Sequence, residues 1–276
     1  MLNKPVVSVS WLRDNLSNPD LVILDASTSS HAEKEDKRLI PNSLRIDLKK
    51  DFSDTSSEFP NTFPSKDLMN ESARKYGVNS DSIVVGYDDN GIYTSPRIWW
   101  LFKTFGHKNV AVLDGGLPAW VDANAPVEQI YKRTEEEGDF QAVLNENALK
   151  SYDEVLQNSS SPESLLLDAR SKGRFEGTSL EPRASLQSGS IPNSCSLAYT
   201  EVLANGHFKS EDDLKRIFSE LVNEDDDLIF SCGSGITACI ILLAAELVIE
   251  NKKSLFDGSW TEWAIKQNLT IETDGQ

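Results

Sequence analysis

Short apolar runs rich in β-branched residues alternate along the chain with longer stretches of helical periodicity. LVILDA (21–26), IVVGY (83–87) and VAVLDGG (110–116) are apolar at nearly every position, as strands covered on both faces are. Between them, SKDLMNESARKYG (65–77) reads as a helix with Ser65 as N-cap and Gly77 at its end. SPRIWWLFKTFG (95–106) reads as another, with Pro96 near its start and Gly106 as its stop. The second half follows the same rhythm. SLLLDA (164–169), DLIFSC (227–232) and KSLFDGS (253–259) are strand-like, and 211–222 and 238–249 are helical. Alternation of this kind predicts an α/β fold with a mostly parallel sheet flanked by helices.

The two halves are also copies of one another. Asp25 of LVILDAS and Asp168 of SLLLDAR are 143 positions apart, as are Trp120 of VLDGGLPAW and Trp263 of LFDGSWTEW. SIVVGYDDNGIYT aligns with DLIFSCGSGITA through Gly91 and Gly235, 144 apart. IPNS occurs at 40–43 and again at 191–194, 151 apart, which places an insertion in the second copy between 170 and 190. Four segments in one order at nearly one offset predict two tandem domains. The expected boundaries are 1–130 and 149–276. The charged stretch 131–148, with Glu135, Glu136 and Glu137 in a row, is read as a solvated linker.

Charge narrows the partners. With 27 Lys and Arg against 44 Asp and Glu, the formal net charge is −17. That field disfavours nucleic acid and anionic membrane surfaces. The longest apolar run, 238–249, contains Glu246 and is too short to span a bilayer, and the N-terminal stretch lacks a signal-peptide core. A cytoplasmic location is expected. Three cysteines without CxxC spacing, and three scattered histidines, suggest neither disulfides nor a metal site. No cofactor is expected, and a duplicated chain that fills its own interface is expected to be a monomer.

One segment carries chemistry. The strand ending at Ser231 runs into Cys232, Gly233, Ser234, Gly235, Ile236 and Thr237, and then into an apolar helix. Glycines let successive backbone N–H groups converge, and a helix start adds unpaired donors and a positive dipole end. Such a cup favours a thiolate at Cys232, and equally a persulfide. The plain alternative is a buried cysteine with glycines serving only the turn. The aligned position in the first copy is Asp88, so by this chemistry at most one copy is active. Cys195 and Cys239 are read as structural. Ala238 stands where a phosphatase loop of this length needs arginine. His207, in ANGHFKS, is the second copy's only histidine and is read as a surface loop residue.

LVILDAS, GYDDNGIYTSPRIWW, VAVLDGGLPAW, LLLDAR, GRFEGTSLEPR, SCGSGITA and DGSWTEW resemble, in order, the motifs of the two-domain sulfurtransferases of the rhodanese superfamily. The resemblance implies two rhodanese-like domains, the second catalytic. It implies Cys232 as nucleophile, Ser234 and Thr237 as hydrogen-bond donors, and the backbone of Gly233, Gly235 and Ile236 lining the substrate. Arg174 and Arg183 match the family's substrate-binding arginines, which suits bidentate capture of a carboxylate. CGSGIT is similar to the CGSGVT loop of the 3-mercaptopyruvate branch and unlike the basic CRKGVT loop of thiosulfate enzymes. The implied reaction moves sulfur from a small-molecule donor, 3-mercaptopyruvate, through a Cys232 persulfide to cyanide, a thiol or a thioredoxin-like acceptor. The alternatives are a thiosulfate:cyanide sulfurtransferase and a non-catalytic persulfide carrier. One departure stands out: mercaptopyruvate-type relatives often place a histidine near SSEFPNTFPSKDL, where this chain has Asn61. That departs from a Ser-His-Asp relay, for which Asp47 is the nearest match to the acidic member.

Overall fold

The structure, a computed structural model, describes residues 2, 4–27 and 29–270. The chain folds as two compact units. The first comprises residues up to Thr55, Phe63–Asn145 and Leu203–Lys209. The second comprises Ser56–Thr62, Glu146–Val202 and residues from Ser210 onward.

The first unit is built on strands β1 (Val6–Val7), β2 (Leu21–Asp25), β3 (Ser43–Arg45), β4 (Ile83–Tyr87) and β5 (Val110–Leu113). They lie in the order β1-β5-β4-β2-β3, every neighbouring pair parallel. The second unit repeats this arrangement. Its strands are β6 (Leu149–Lys150), β7 (Ser164–Asp168), β8 (Ser194–Ser196), β11 (Asp227–Ser231) and β12 (Lys253–Phe256), in the order β6-β12-β11-β7-β8, again all parallel. A short antiparallel hairpin, β9 (Leu203–Ala204) with β10 (His207–Phe208), belongs to the first unit although the second half of the chain encodes it. Its turn residues Asn205 and Gly206 both have positive φ, the requirement of a tight two-residue hairpin.

Local sequence explains these elements. In each IPNS segment the serine N–H donates to the isoleucine carbonyl, at 3.2 and 3.3 Å, and the asparagine (Asn42 or Asn193) has positive φ. Proline followed by a left-handed asparagine makes a type II turn, so the repeated tetrapeptide is a repeated turn into β3 and β8. Ser65 caps the helix Lys66–Lys75 by accepting from Leu68 N, and Gly77 follows it at φ 70°. The helix Ala238–Val248 is apolar at every position but Glu246 and is buried through Ala245, as such a helix must be. Among the described residues no helix is long and apolar enough to cross a membrane.

The stretch expected to be a linker is solvated only in part. Glu135, Glu136 and Glu137 are exposed. Around them, however, Tyr131 Oη donates to Asp25 at 2.9 Å, Gly138 N donates to Arg74 O at 2.9 Å, and Phe140 is buried. A few apolar and backbone anchors therefore make 131–145 part of the first unit, which the charge pattern concealed.

His107 is buried in that unit, with Nε2 2.9 Å from Ser82 O, and desolvation holds its pKa below the usual 6.5. The unfolded chain then takes up this proton at higher pH than the folded chain. Its contribution is complete above pH 6.5 and lost progressively as pH falls below it. Denaturant melts at pH 7.5 and 5.5 are expected to give a smaller pH difference in His107→Gln than in the wild type. An equal difference would rule this residue out.

Candidate functional site

Strand β11 ends at Ser231, in register with Asp168 of β7, at the carboxyl edge where open α/β sheets hold ligands. Cys232 follows at once and is 2% exposed, so its sulfur lies at the bottom of the loop. Three backbone anchors fix it. Cys232 N donates to Ser259 Oγ at 3.1 Å, Trp260 N donates to Cys232 O at 2.9 Å, and Thr261 N donates to Gly233 O at 3.1 Å. Ser259 Oγ stands 4.0 Å from Cys232 Sγ and gives a hydrogen bond to Phe256 O at 2.9 Å. The loop curls back through Gly235, whose φ of +78° glycine adopts without cost. Ser234, Ile236 and Thr237 are partly exposed around it. Thr237 is the N-cap of the helix Ala238–Val248 and makes no side-chain cap bond.

The structure brings both expected arginines to this loop. The Arg174 guanidinium covers Gly233 so closely that a Cβ there would stand 2.9 Å from Nη2. Arg183 is exposed and reaches the loop indirectly: Nη1 donates to Thr261 Oγ1 at 3.1 Å, and Thr261 Oγ1 donates to Gly233 O at 2.6 Å.

Arg174 is held by a network that sequence reasoning missed. Its Nε and Nη2 donate to Glu181 at 3.2 and 2.6 Å. Glu181 also accepts from Arg170 Nη1 at 2.8 Å, and Arg170 in turn grips Asp168 through Nε and Nη2 at 2.7–3.1 Å. Asp168, Arg170 and Glu181 are all buried, and the Arg170 guanidinium lies 4.4 Å from the Trp260 ring centroid. Trp260 is thus a packing residue that backs Arg170. Opposite charges at 168, 170, 174 and 181 were the available signal, hidden inside a charged loop.

A second missed contributor is Asn61, noted in the sequence only for the histidine it replaces. Its segment, Ser56–Thr62, belongs to the second unit. Asn61 Nδ2 donates to Ser234 Oγ at 3.0 Å and to Ser234 O at 3.1 Å. Asp47 is occupied elsewhere, capping the helix Leu48–Asp51 in the first unit. His207 is no free loop residue: it lies in β10, with Nδ1 2.9 Å from Asp114 Oδ2. Cys239 is fully buried, with Sγ 3.3 Å from Gly235 O, and Cys195 lies within β8.

The matching loop of the first unit reveals what this backbone does with an anion. Asp88 follows β4 as Cys232 follows β11, although one more residue separates it from its helix cap, Thr94. Asp88 Oδ2 accepts from Tyr93 N, Thr94 N, Ser95 N and Ser95 Oγ at 2.7–3.0 Å, and Oδ1 accepts from Asn90 N at 3.0 Å. Gly116 permits the crowding nearby, since a Cβ on it would collide with the backbone carbonyls of Asp88 and Gly91.

Two copies of one parallel α/β unit stand in tandem, one with a thiol at its loop and the other with a carboxylate. The Rhodanese-like domain matches residues 8–123 and 151–266. The chain is 36% identical to a 3-mercaptopyruvate sulfurtransferase of Mus musculus, covering 96% of this chain and 93% of that protein. It is equally 36% identical to a thiosulfate sulfurtransferase of Rattus norvegicus, over 95% and 93% of the two. The crystal structure of the 3-mercaptopyruvate enzyme SseA from Escherichia coli superposes with a TM-score of 0.81 at 31% identity, covering 94% of this chain and 99% of that one. The chain belongs to the rhodanese family, and it is a sulfurtransferase.

Proposed function

We propose that the enzyme takes sulfur from 3-mercaptopyruvate, holds it as a persulfide on Cys232, and releases pyruvate. The observation that carries the donor is the placement of cations. No charged side chain lies within Cys232–Thr237, and the nearest guanidinium, that of Arg174, stands over Gly233 from a neighbouring helix. A donor whose carboxylate lies some bonds away from its sulfur suits that spacing. Thiosulfate, with its charge adjoining the transferred atom, suits cations within the loop. Arg174 Nη1 has no partner among the described residues, so a donor's carboxylate has a charged hydrogen bond to gain there.

In the reaction, the Cys232 thiolate attacks the thiol sulfur of the donor. The Sγ–S bond forms and the S–C bond breaks, its electron pair passing to carbon as the enolate of pyruvate. The proton of the donor thiol ends on that carbon. The outer sulfur is left anionic, facing the backbone donors of the loop, which stabilise charge as it develops. Asp88 supports this reading, because a carboxylate oxygen lies as many bonds from Cα as the outer sulfur of a cysteine persulfide. An acceptor such as cyanide or a thiolate then attacks the outer sulfur, and Cys232 leaves as thiolate. Since Cys232 is 2% exposed, the acceptor must be slender or present a protruding thiol.

Overall identity does not separate the two donors, since relatives of both kinds match equally. Steady-state transfer to cyanide should settle it, with kcat/KM expected to be at least 10-fold higher, on the order of 1.4 kcal/mol, for 3-mercaptopyruvate than for thiosulfate. A preference for thiosulfate would overturn the donor assignment.

A further inference from the structure

Asn61 makes an unusual pair of bonds to one residue. Its side-chain nitrogen donates to Ser234 O at 3.1 Å and to Ser234 Oγ at 3.0 Å. The first partner settles the orientation of the amide: a backbone carbonyl can only accept, so the group facing it is the NH2 and not the oxygen. The same NH2 faces the hydroxyl, which therefore accepts from Asn61. A serine hydroxyl has one hydrogen, and that hydrogen must point away from Asn61. Among the described residues the Ser234 hydroxyl has no acceptor of its own. It lies two residues after Cys232, in the loop whose counterpart in the first unit encloses a carboxylate.

The segment carrying Asn61 is built to hold it there. Asn61 has φ of 58°, a left-handed conformation that asparagine tolerates better than most residues. Thr62 Oγ1 donates to Phe59 O at 2.9 Å and accepts from Ser57 Oγ at 2.8 Å, and Phe59 N donates to Ser57 Oγ at 3.1 Å. Lys266 Nζ lies 5.8 Å from the Phe59 ring centroid.

We propose that Asn61 is a positioning residue for sulfur transfer: its amide sets Ser234 as a hydrogen-bond donor to the anion held in the 232–237 loop, and leaves Ser234 no base to which it could pass a proton. Charge stabilisation by Ser234 is then independent of any group titrating beside it. The inference rests on the sulfurtransferase reading for its role in turnover. Its geometric content, a Ser234 hydroxyl that accepts from Asn61 and turns its hydrogen away from it, does not depend on the identity of the donor substrate.

The test uses the full-length enzyme with two readouts. One is the pH profile of Cys232 alkylation by iodoacetamide, which needs no sulfur donor. The other is kcat and KM for 3-mercaptopyruvate. Asn61→Ala and Ser234→Ala are each expected to lower kcat on the order of 10-fold, with KM changed less than about 3-fold, the loss of one aimed donor. The double variant should fall no more than about 3-fold below the worse single one, because both changes remove the same hydrogen bond to the anion. Asn61→His exchanges a donor that never titrates for one that does, so a new ionisation near pH 6.5 is expected in its kcat and alkylation profiles, absent from the wild type. Unchanged kcat and alkylation in Asn61→Ala would overturn the inference. So would fully additive effects in the double variant, which would place Asn61 on a separate role. Should the wild type transfer no sulfur while Asn61→Ala still alters Cys232 alkylation, the sulfurtransferase reading falls and the positioning role stands.

Discussion

Cys232→Ser is expected to abolish sulfur transfer, with kcat/KM falling by on the order of 10³-fold or more. The hydroxyl is nearly isosteric with the thiol, so the bond from the backbone N–H of residue 232 to Ser259 Oγ, the Trp260 and Thr261 backbone bonds and the loop itself should persist. What is lost is the nucleophile. An alkoxide is far less accessible near neutral pH than a thiolate, and oxygen cannot form a persulfide. Intact-mass measurement after brief exposure to donor should detect one added sulfur atom on the wild type and none on the variant. Cys195→Ser should retain the adduct, since Cys195 sits within β8 and away from the loop. An adduct persisting in Cys232→Ser would refute the assignment of the nucleophile. An adduct in the wild type without release to cyanide or thiols would favour the carrier reading over an enzyme that turns over.

Glu181→Ala is expected to cost about 3–5 kcal/mol of stability in the second unit, the usual consequence of stripping one partner from a buried ion network. The Glu181 side chain is 3% exposed and that of Arg170 is fully buried, so neither charge is screened by solvent. Removing the carboxylate leaves Arg170 Nη1 without its partner and frees Arg174, whose Nε and Nη2 both rest on Glu181. Stability should therefore fall together with donor binding, and KM for 3-mercaptopyruvate should rise. Glu181→Gln preserves the volume and one acceptor, and is expected to lie between the two. Urea denaturation and steady-state kinetics check both halves. A stability loss below about 1 kcal/mol would mean that Asp168 and Gly189 O suffice for Arg170, and that the network is not what holds Arg174.

The network also sets the two copies apart. Asp25 and Asp168 occupy equivalent strand ends, and both are buried. Asp25 is satisfied by the hydroxyls of Tyr87 and Tyr131 at 2.8 and 2.9 Å, with no cation required. Asp168 is satisfied by Arg170, which recruits Glu181, which in turn orients Arg174. The extra residues of the second copy between β7 and β8 supply this chain. The first copy instead closes its own loop with Asp88.

Much of the molecule was legible along the chain because its determinants are local. Period, apolar runs and caps specified the helices Lys66–Lys75 and Ser95–Thr104 almost to the residue. The 143-residue offset disclosed two copies with one strand order, since equal sequences solve the same packing problem in the same way. The equivalence of the Cys232 and Asp88 turns, after β11 and β4, was likewise legible from the offset. Tertiary structure decided what depends on partners far apart in sequence. Asn61 reaches Ser234 across 173 residues, and no local pattern announces such a pairing. The acceptor of Arg174 was one carboxylate among many in an acidic chain until folding buried Glu181 beside it. The stretch 131–145 joined the first unit through Tyr131 and Phe140, against its overall charge. Backbone preference and hydrophobic period act over a few residues and can be read in order. Hydrogen bonds and ion pairs that aim a side chain form only when the fold brings their members within about 3 Å of one another.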